Sequence, residues 1–139
     1  MNTLIDTSVW SLALRRRPED LSAEERRIIE ELTEIIQEGR ARILGPVRQE
    51  LLSGIKLAAQ YERLRLTLRA FPDEPITTSD YETAAKAGNV CRSKGIIVSG
   101  VDILICAVAI ARRWTVFTTD SDFRTYATVL PVRLHFPRR

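Results

Sequence analysis

The chain has 139 residues, 45% of them hydrophobic and 28% charged, enough for one packed domain over residues 1–139 and too few for two. No apolar run is long enough to cross a membrane, and Met1-Asn2-Thr3-Leu4-Ile5-Asp6 has neither a basic region nor a long apolar stretch. A secreted or membrane-anchored protein is therefore not expected, and the cytoplasm is. The net charge of +3 rests on 21 basic residues, of which only Lys56, Lys86 and Lys94 are lysines; arginine's planar fork suits phosphate, so a nucleic-acid partner is compatible with this balance, as is a simple bias toward arginine codons.

Leu4-Ile5 is a short apolar stretch between polar residues and reads as a central strand ending at Asp6. Thr7 or Ser8 then caps a helix through Val9, Trp10, Leu12 and Leu14. Arg15-Arg16-Arg17-Pro18 breaks it. Ser22 with Glu25 is a capping box, after which Ile28, Ile29, Leu32, Ile35 and Ile36 recur at helical spacing until Gly39. Ala41–Leu44 reads as a second strand, and Gly45-Pro46 opens a helix that carries Glu50 and stops near Gly54. Residues 55–70 read as a further helix with Arg63, Arg65 and Arg69 on one face. Ile76 falls in a brief third strand or extended segment. Ser79 and Glu82 suggest another capping box, opening a helix that ends at Lys94-Gly95. Ser99-Gly100-Val101-Asp102 opens a helix apolar nearly all round, which implies burial. Thr115–Thr118 is the fourth strand and Val132-Arg133-Leu134 the last. Cys91 and Cys106 lie in helical segments without metal-ligand spacing and read as free buried thiols. Alternating short strands and helices imply a three-layer α/β/α sandwich with a mainly parallel central sheet of four to five strands.

In a parallel sheet every strand points the same way, and ligands bind outside the carboxyl ends. Asp6 ends the first strand and Asp120 follows the fourth. Glu50 lies early in the helix after the second strand, and Asp102 in the first turn of the helix leading to the fourth. Four carboxylates from four separate stretches are thus delivered to one edge. Gathered there, they raise one another's pKa unless a counter-charge is present. A hard divalent cation with oxygen ligands resolves this, and Mg²⁺ uses a few carboxylates while keeping several waters. Such an ion lowers the pKa of bound water and stabilises charge at phosphorus.

At these same residues the chain resembles the PIN-domain ribonucleases, specifically the VapC-type toxins of toxin–antitoxin pairs. Leu4-Ile5-Asp6-Thr7-Ser8 is similar to the family's opening strand and acid. Glu50-Leu51-Leu52-Ser53-Gly54 is similar to its second acid with a nearby glycine. Asp102-Ile103-Leu104-Ile105-Cys106-Ala107 matches the Asp-x-x-Ile-Ala-Ala helix with Cys106 for the first alanine. Thr118-Thr119-Asp120-Ser121-Asp122-Phe123 matches Thr-x-Asp-x-Asp-Phe. The resemblance covers nearly the whole chain. It implies Mg²⁺-dependent cleavage of RNA, with Mn²⁺ able to substitute, and neutralisation by a cognate antitoxin whose C-terminal segment covers the active site. Homodimers are usual. It also implies an acidic quartet of Asp6, Glu50, Asp102 and Asp120, with Asp6, Asp102 and Asp120 holding the metal. Asp122 is an auxiliary acid, and Thr118 and Ser8 are hydroxyls that order metal waters.

Plainer readings exist for each acid: Asp102 as the capping-box partner of Ser99, Asp6 as a cap, Asp120 or Asp122 as turn residues. Glu50, past the first turn beside Leu51 and Leu52, is hardest to explain so. An aspartyl-phosphate phosphatase needs an acid two residues after Asp6, where Ser8 stands. A phosphoacceptor receiver needs an acidic pair at the first strand and a lysine on a late one. His135, the only histidine, lies far from the motifs, against histidine-based ribonuclease chemistry. The remaining alternative is a non-catalytic RNA- or partner-binding module of the same fold.

Overall fold

The computed structural model describes residues 1–138. Strands β1 (Thr3–Ile5), β2 (Ala41–Arg42), β3 (Thr115–Phe117) and β4 (Arg133–Leu134) form one parallel sheet in the order β2-β1-β3-β4. β1 is central and wholly buried, as parallel strands covered on both faces are. Thr3 lies opposite both Ala41 and Thr115, and Ile5 opposite Phe117. The Asp6 N–H donates to Phe117 O at 2.9 Å, so pairing continues to the end of β1 and brings its acid beside the end of β3.

The helices are α1 (Thr7–Leu14), α2 (Ala23–Gln37), α3 (Gly45–Leu52), α4 (Ala58–Leu68), α5 (Thr78–Ser93), α6 (Gly100–Arg112) and α7 (Asp122–Tyr126), with a short 3-10 turn at Pro18–Asp20. From β1 the chain moves to one edge at β2, then crosses back over β1 to β3 and on to β4. Right-handed crossovers in opposite directions cover both faces of the sheet, giving the three-layer α/β/α sandwich. β1 and β3 are neighbours that the chain leaves in opposite directions, which makes the gap between their carboxyl ends the topological switch point where open α/β sheets bind ligands.

α6 runs through the interior with Ile103 and Ile105–Ala109 buried. Cys91 and Cys106 are free and buried, and burial pushes the Cys106 thiol up to about 12. Trp10 packs edge-on against Phe71 with centroids 4.9 Å apart, and its Nε1–H donates to Ile5 O at 3.1 Å, fixing α1 to the strand it follows. Each such fully buried apolar side chain contributes about 1.5–3 kcal/mol. Among the described residues no helix is long and apolar enough to cross a membrane.

Several sequence expectations are corrected. The second strand is two residues long rather than four; Ile43 instead forms an isolated parallel bridge with Asp73. Ile76 joins no strand, so the sheet has four. Residues 55–57 stay outside α4, because Gly54 at φ +80° turns the chain and Leu57 is extended at its start. Thr118 lies one residue past β3. The capping box of α5 is Thr77 with Asp80, not Ser79 with Glu82: Asp80 N–H donates to Thr77 Oγ1 at 3.2 Å and Thr77 N–H to Asp80 Oδ2 at 2.9 Å. Arg112 at the end of α6 also grips both Asp80 oxygens, at 3.1 and 3.0 Å. That guanidinium holds the buried Asp80 carboxyl down to about 2. A comparable clamp joins α2 to the C-terminal tail. Glu31, 4% exposed, meets His135 Nε2 at 2.5 Å and Arg138 Nε at 3.2 Å. The one histidine is thus a structural partner in the described chain.

Candidate active site

Asp6 takes the N-cap position of α1 with extended backbone angles (φ −72°, ψ 157°), yet its carboxylate makes no capping bond. Oδ2 instead accepts the hydroxyls of Ser8 at 2.8 Å and Thr118 at 2.7 Å. Those hydroxyls accept in turn: Ser8 Oγ from Thr119 N–H at 3.0 Å, Thr118 Oγ1 from Asp120 N–H at 3.0 Å. Thr7 and Ser8 therefore sit inside α1 rather than capping it. Ser8 and Thr118 lace the end of β1 to the end of β3 around one buried carboxylate oxygen.

Asp120 Oδ1 accepts the Asp122 N–H at 2.9 Å, and its backbone carbonyl accepts Phe123 N–H at 3.2 Å. The acid that the motif places after β3 thereby also starts α7. Asp122 is the first residue of that helix, exposed, and outside the cleft that the other acids line. Glu50 is exposed on α3, where its Oε1 accepts Thr7 Oγ1–H at 2.6 Å. Asp102 stands in the first turn of α6. Its N–H donates to the Ser99 hydroxyl at 3.1 Å, so the capping role is met by backbone. Its half-buried carboxylate is used elsewhere: Oδ2 accepts the buried Tyr126 hydroxyl at 3.0 Å. Burial pushes the Asp102 carboxyl above its ordinary value; the Tyr126 bond opposes this, and the nearby charges of Asp6 and Asp120 add to it. Burial and the same bond push the Tyr126 phenol up, so it stays a proton donor.

Asp6, Glu50, Asp102 and Asp120 line one open cleft of 620 Å³ at the switch point, together with Thr7, Ser8 and Gln49. Among the described residues no lysine, arginine or histidine lines it. Among the described residues no three acidic, histidine or cysteine side chains are drawn close enough to form a ready coordination shell. The donor set nevertheless fits a hard cation, because Mg²⁺ binds through one or two carboxylates and fills the remaining positions with water. Thr7 and Tyr126 are the site residues that sequence reasoning missed. Thr7 was legible only as a helix cap, and Tyr126 reaches Asp102 across 24 residues with no local motif to mark it.

The fold and the cleft together define an α/β protein with an acidic site at its switch point. The family described as PIN domain matches residues 3–129, and the chain belongs to that family. Solved structures agree at the level of fold. FitAcB from Neisseria gonorrhoeae superposes with a TM-score of 0.76 at 21% identity, covering 97% of each chain. VapBC2 from Rickettsia felis, bound to a DNA fragment from its promoter, gives 0.74 at 18% identity over 97% of this chain and 98% of that one. VapBC-5 from Mycobacterium tuberculosis, a member of the VapBC family of toxin–antitoxin systems, gives 0.66 at 19% identity over 96% of each. No curated protein sequence matches the chain.

Proposed function

We propose that this chain is a divalent-metal-dependent endoribonuclease and the toxin of a toxin–antitoxin pair. The observation that carries the reading is the convergence of Asp6, Glu50, Asp102 and Asp120 from four separated segments in one cleft that no basic side chain among the described residues lines. Buried or crowded carboxylates are normally paired; four left without a basic partner are suited to an ion from solution. In this reading Asp6, Asp102 and Asp120 would hold Mg²⁺, or Mn²⁺ in its place, directly or through its waters, and Glu50 completes the acidic set from the rim. The chemistry such an ion supplies is a nucleophilic water at neutral pH and neutralisation of charge on the phosphate being cut. The chain's own residues orient the set. Ser8 and Thr118 fix one oxygen of Asp6 and leave the other free, and Tyr126 does the same for Asp102. Asp122 serves as an auxiliary charge at the start of α7. Cleavage by water in line with the leaving oxygen leaves a 5′-phosphate and a 3′-hydroxyl.

Similarity of fold to VapBC toxin–antitoxin structures supports a cognate antitoxin as protein partner; a homodimer as the working form, in the cytoplasm, is part of the same proposal. The test is cleavage of single-stranded and structured RNA by the purified chain, freed of any antitoxin, in Mn²⁺ and in excess chelator. Cleavage that needs the metal and disappears in Asp6→Ala and Asp102→Ala is expected. Undiminished cleavage in chelator would sink the proposal, and RNA binding without cleavage would assign the chain to the non-catalytic alternative.

A further inference from the structure

A second cavity, of 490 Å³, opens beside the acidic cleft and shares Ser8 and Asp120 with it. Its volume falls in the range of about 300–1,000 Å³ typical of small-ligand sites. The floor is apolar, formed by Leu12, Ile28 and Phe117, and the mouth carries Phe136, Arg27 and Arg124. Arg16 and Glu25 also reach the rim, where they pair with each other at 3.6 Å, and Glu25 further caps α2. Glu24 is the other acid at that rim. Arg27 and Arg124 enter none of the ion pairs formed among the described residues.

Phe136 is 61% exposed, and its exposure is not that of a loose end. On one side His135 N–H donates to Val116 O at 2.7 Å, and the His135 ring stands edge-on to Phe117 and against buried Glu31. On the other side Arg138 reaches Glu31 at 3.2 Å and Glu38 at 2.6 Å. The tail is clamped before and after the one ring it presents outward, so that ring is held as a wall of the cavity. An aromatic face with unpaired arginines is the combination that binds single-stranded nucleic acid: every base offers a π-face to stack, and its phosphate offers charge.

We propose that this cavity is a nucleotide-binding subsite for single-stranded RNA, with a base stacked on Phe136 and the adjoining phosphates on Arg27 and Arg124. The proposal rests on the ribonuclease reading. A strand whose scissile phosphate lies at the four acids must leave along the surface, and this cavity is joined to that cleft through Ser8 and Asp120. The two arginines offset the repulsion that the acids exert on a polyanion. An acidic peptide would also pair with the two guanidiniums; continuity with the acidic cleft through Ser8 and Asp120, beside an aromatic face held outward, favours RNA as the occupant.

The experiment is binding of a fluorescein-labelled single-stranded RNA dodecamer to the full chain in an Asp102→Asn background, measured by anisotropy at several salt concentrations. Phe136→Ala is expected to weaken binding about tenfold, as loss of one base–aromatic stack does, and Phe136→Tyr to restore it. Arg124→Ala should lower the salt slope by about one phosphate contact, a readout that a structural role would not move. Because Phe136 and Arg124 are exposed, neither change threatens folding. Affinities within twofold of the parent for both alanine variants, or no RNA binding by the parent, overturn the proposal; the first result would leave the cavity to a peptide. If the unsubstituted chain fails to cleave RNA while binding remains sensitive to Phe136 and Arg124, the ribonuclease reading fails and the subsite stands. Cleavage with binding indifferent to both residues is the converse.

Discussion

Two groups of carboxylates in this molecule face opposite circumstances. Asp80 and Glu31 are buried, and each meets a guanidinium: Arg112 grips Asp80, and Arg138, with His135, closes on Glu31. Asp6, Glu50, Asp102 and Asp120 share a cleft and, among the described residues, receive only hydroxyls and a backbone N–H group. Asp80 and Asp102 show the difference in their titration. Arg112 holds Asp80 down to about 2, whereas burial and the neighbouring acids push Asp102 up. Asp80 and Glu31 meet their counter-ions within the fold, whereas the four cleft acids meet none among the described residues.

The largest expected effect breaks the two groups apart by activity. Asp6→Ala or Asp102→Ala should lower RNA cleavage by more than about a hundredfold, beyond the ~10–100-fold typical of residues that only support a metal's ligands. Asp80→Ala should leave cleavage per folded molecule unchanged, as measured on samples normalised for native content.

Stability should divide them the other way. Asp80→Asn removes charged hydrogen bonds worth about 2 kcal/mol and lowers the urea midpoint. The folded Asp80 value lies below the unfolded one, so its contribution is fully present above pH ~4 and is lost as pH falls toward 2. Asp102 has the opposite sign. Its folded value is raised, so it costs stability once pH passes its ordinary value, and metal-free Asp102→Asn should be at least as stable as the parent at neutral pH. Urea unfolding of both variants between pH 2 and 7 checks the two directions together.

Smaller changes sharpen the picture of the open set. Tyr126→Phe removes the hydroxyl that orients Asp102 and should weaken Mn²⁺ binding about tenfold, the lower end for such supporting residues, with little change in the fold because the ring stays packed on Phe123. Thr7→Val releases exposed Glu50 and should cost cleavage about threefold, the value of one modest hydrogen bond.

Much of this was legible in the sequence where the signal is local. The strand-then-acid pattern at Asp6 and Asp120, the apolar girth of α6 and the Ser22–Glu25 capping box each depend on residues a few positions apart. What escaped depends on distant partners. Three hydroxyl residues, Thr77, Thr78 and Ser79, could cap α5 by sequence, and the acid that completes the box with Thr77, Asp80, is held by Arg112 from 32 residues away. Ser8 and Thr118 were marked only by their motifs, as hydroxyls expected to order metal waters, whereas their joint grip on Asp6 Oδ2 spans the sheet. The Glu31–His135 contact joins residues 104 apart, and no periodicity reports it.

The claim that the four unpaired acids form a metal centre is tested most directly by calorimetric titration of the purified chain with Mn²⁺, beside Asp6→Asn, Asp102→Asn and Asp80→Asn. Saturable binding by the parent and Asp80→Asn, lost or weakened at least tenfold in the two site variants, is the expected result. Equal Mn²⁺ affinity in all four proteins, or none in the parent, would contradict it.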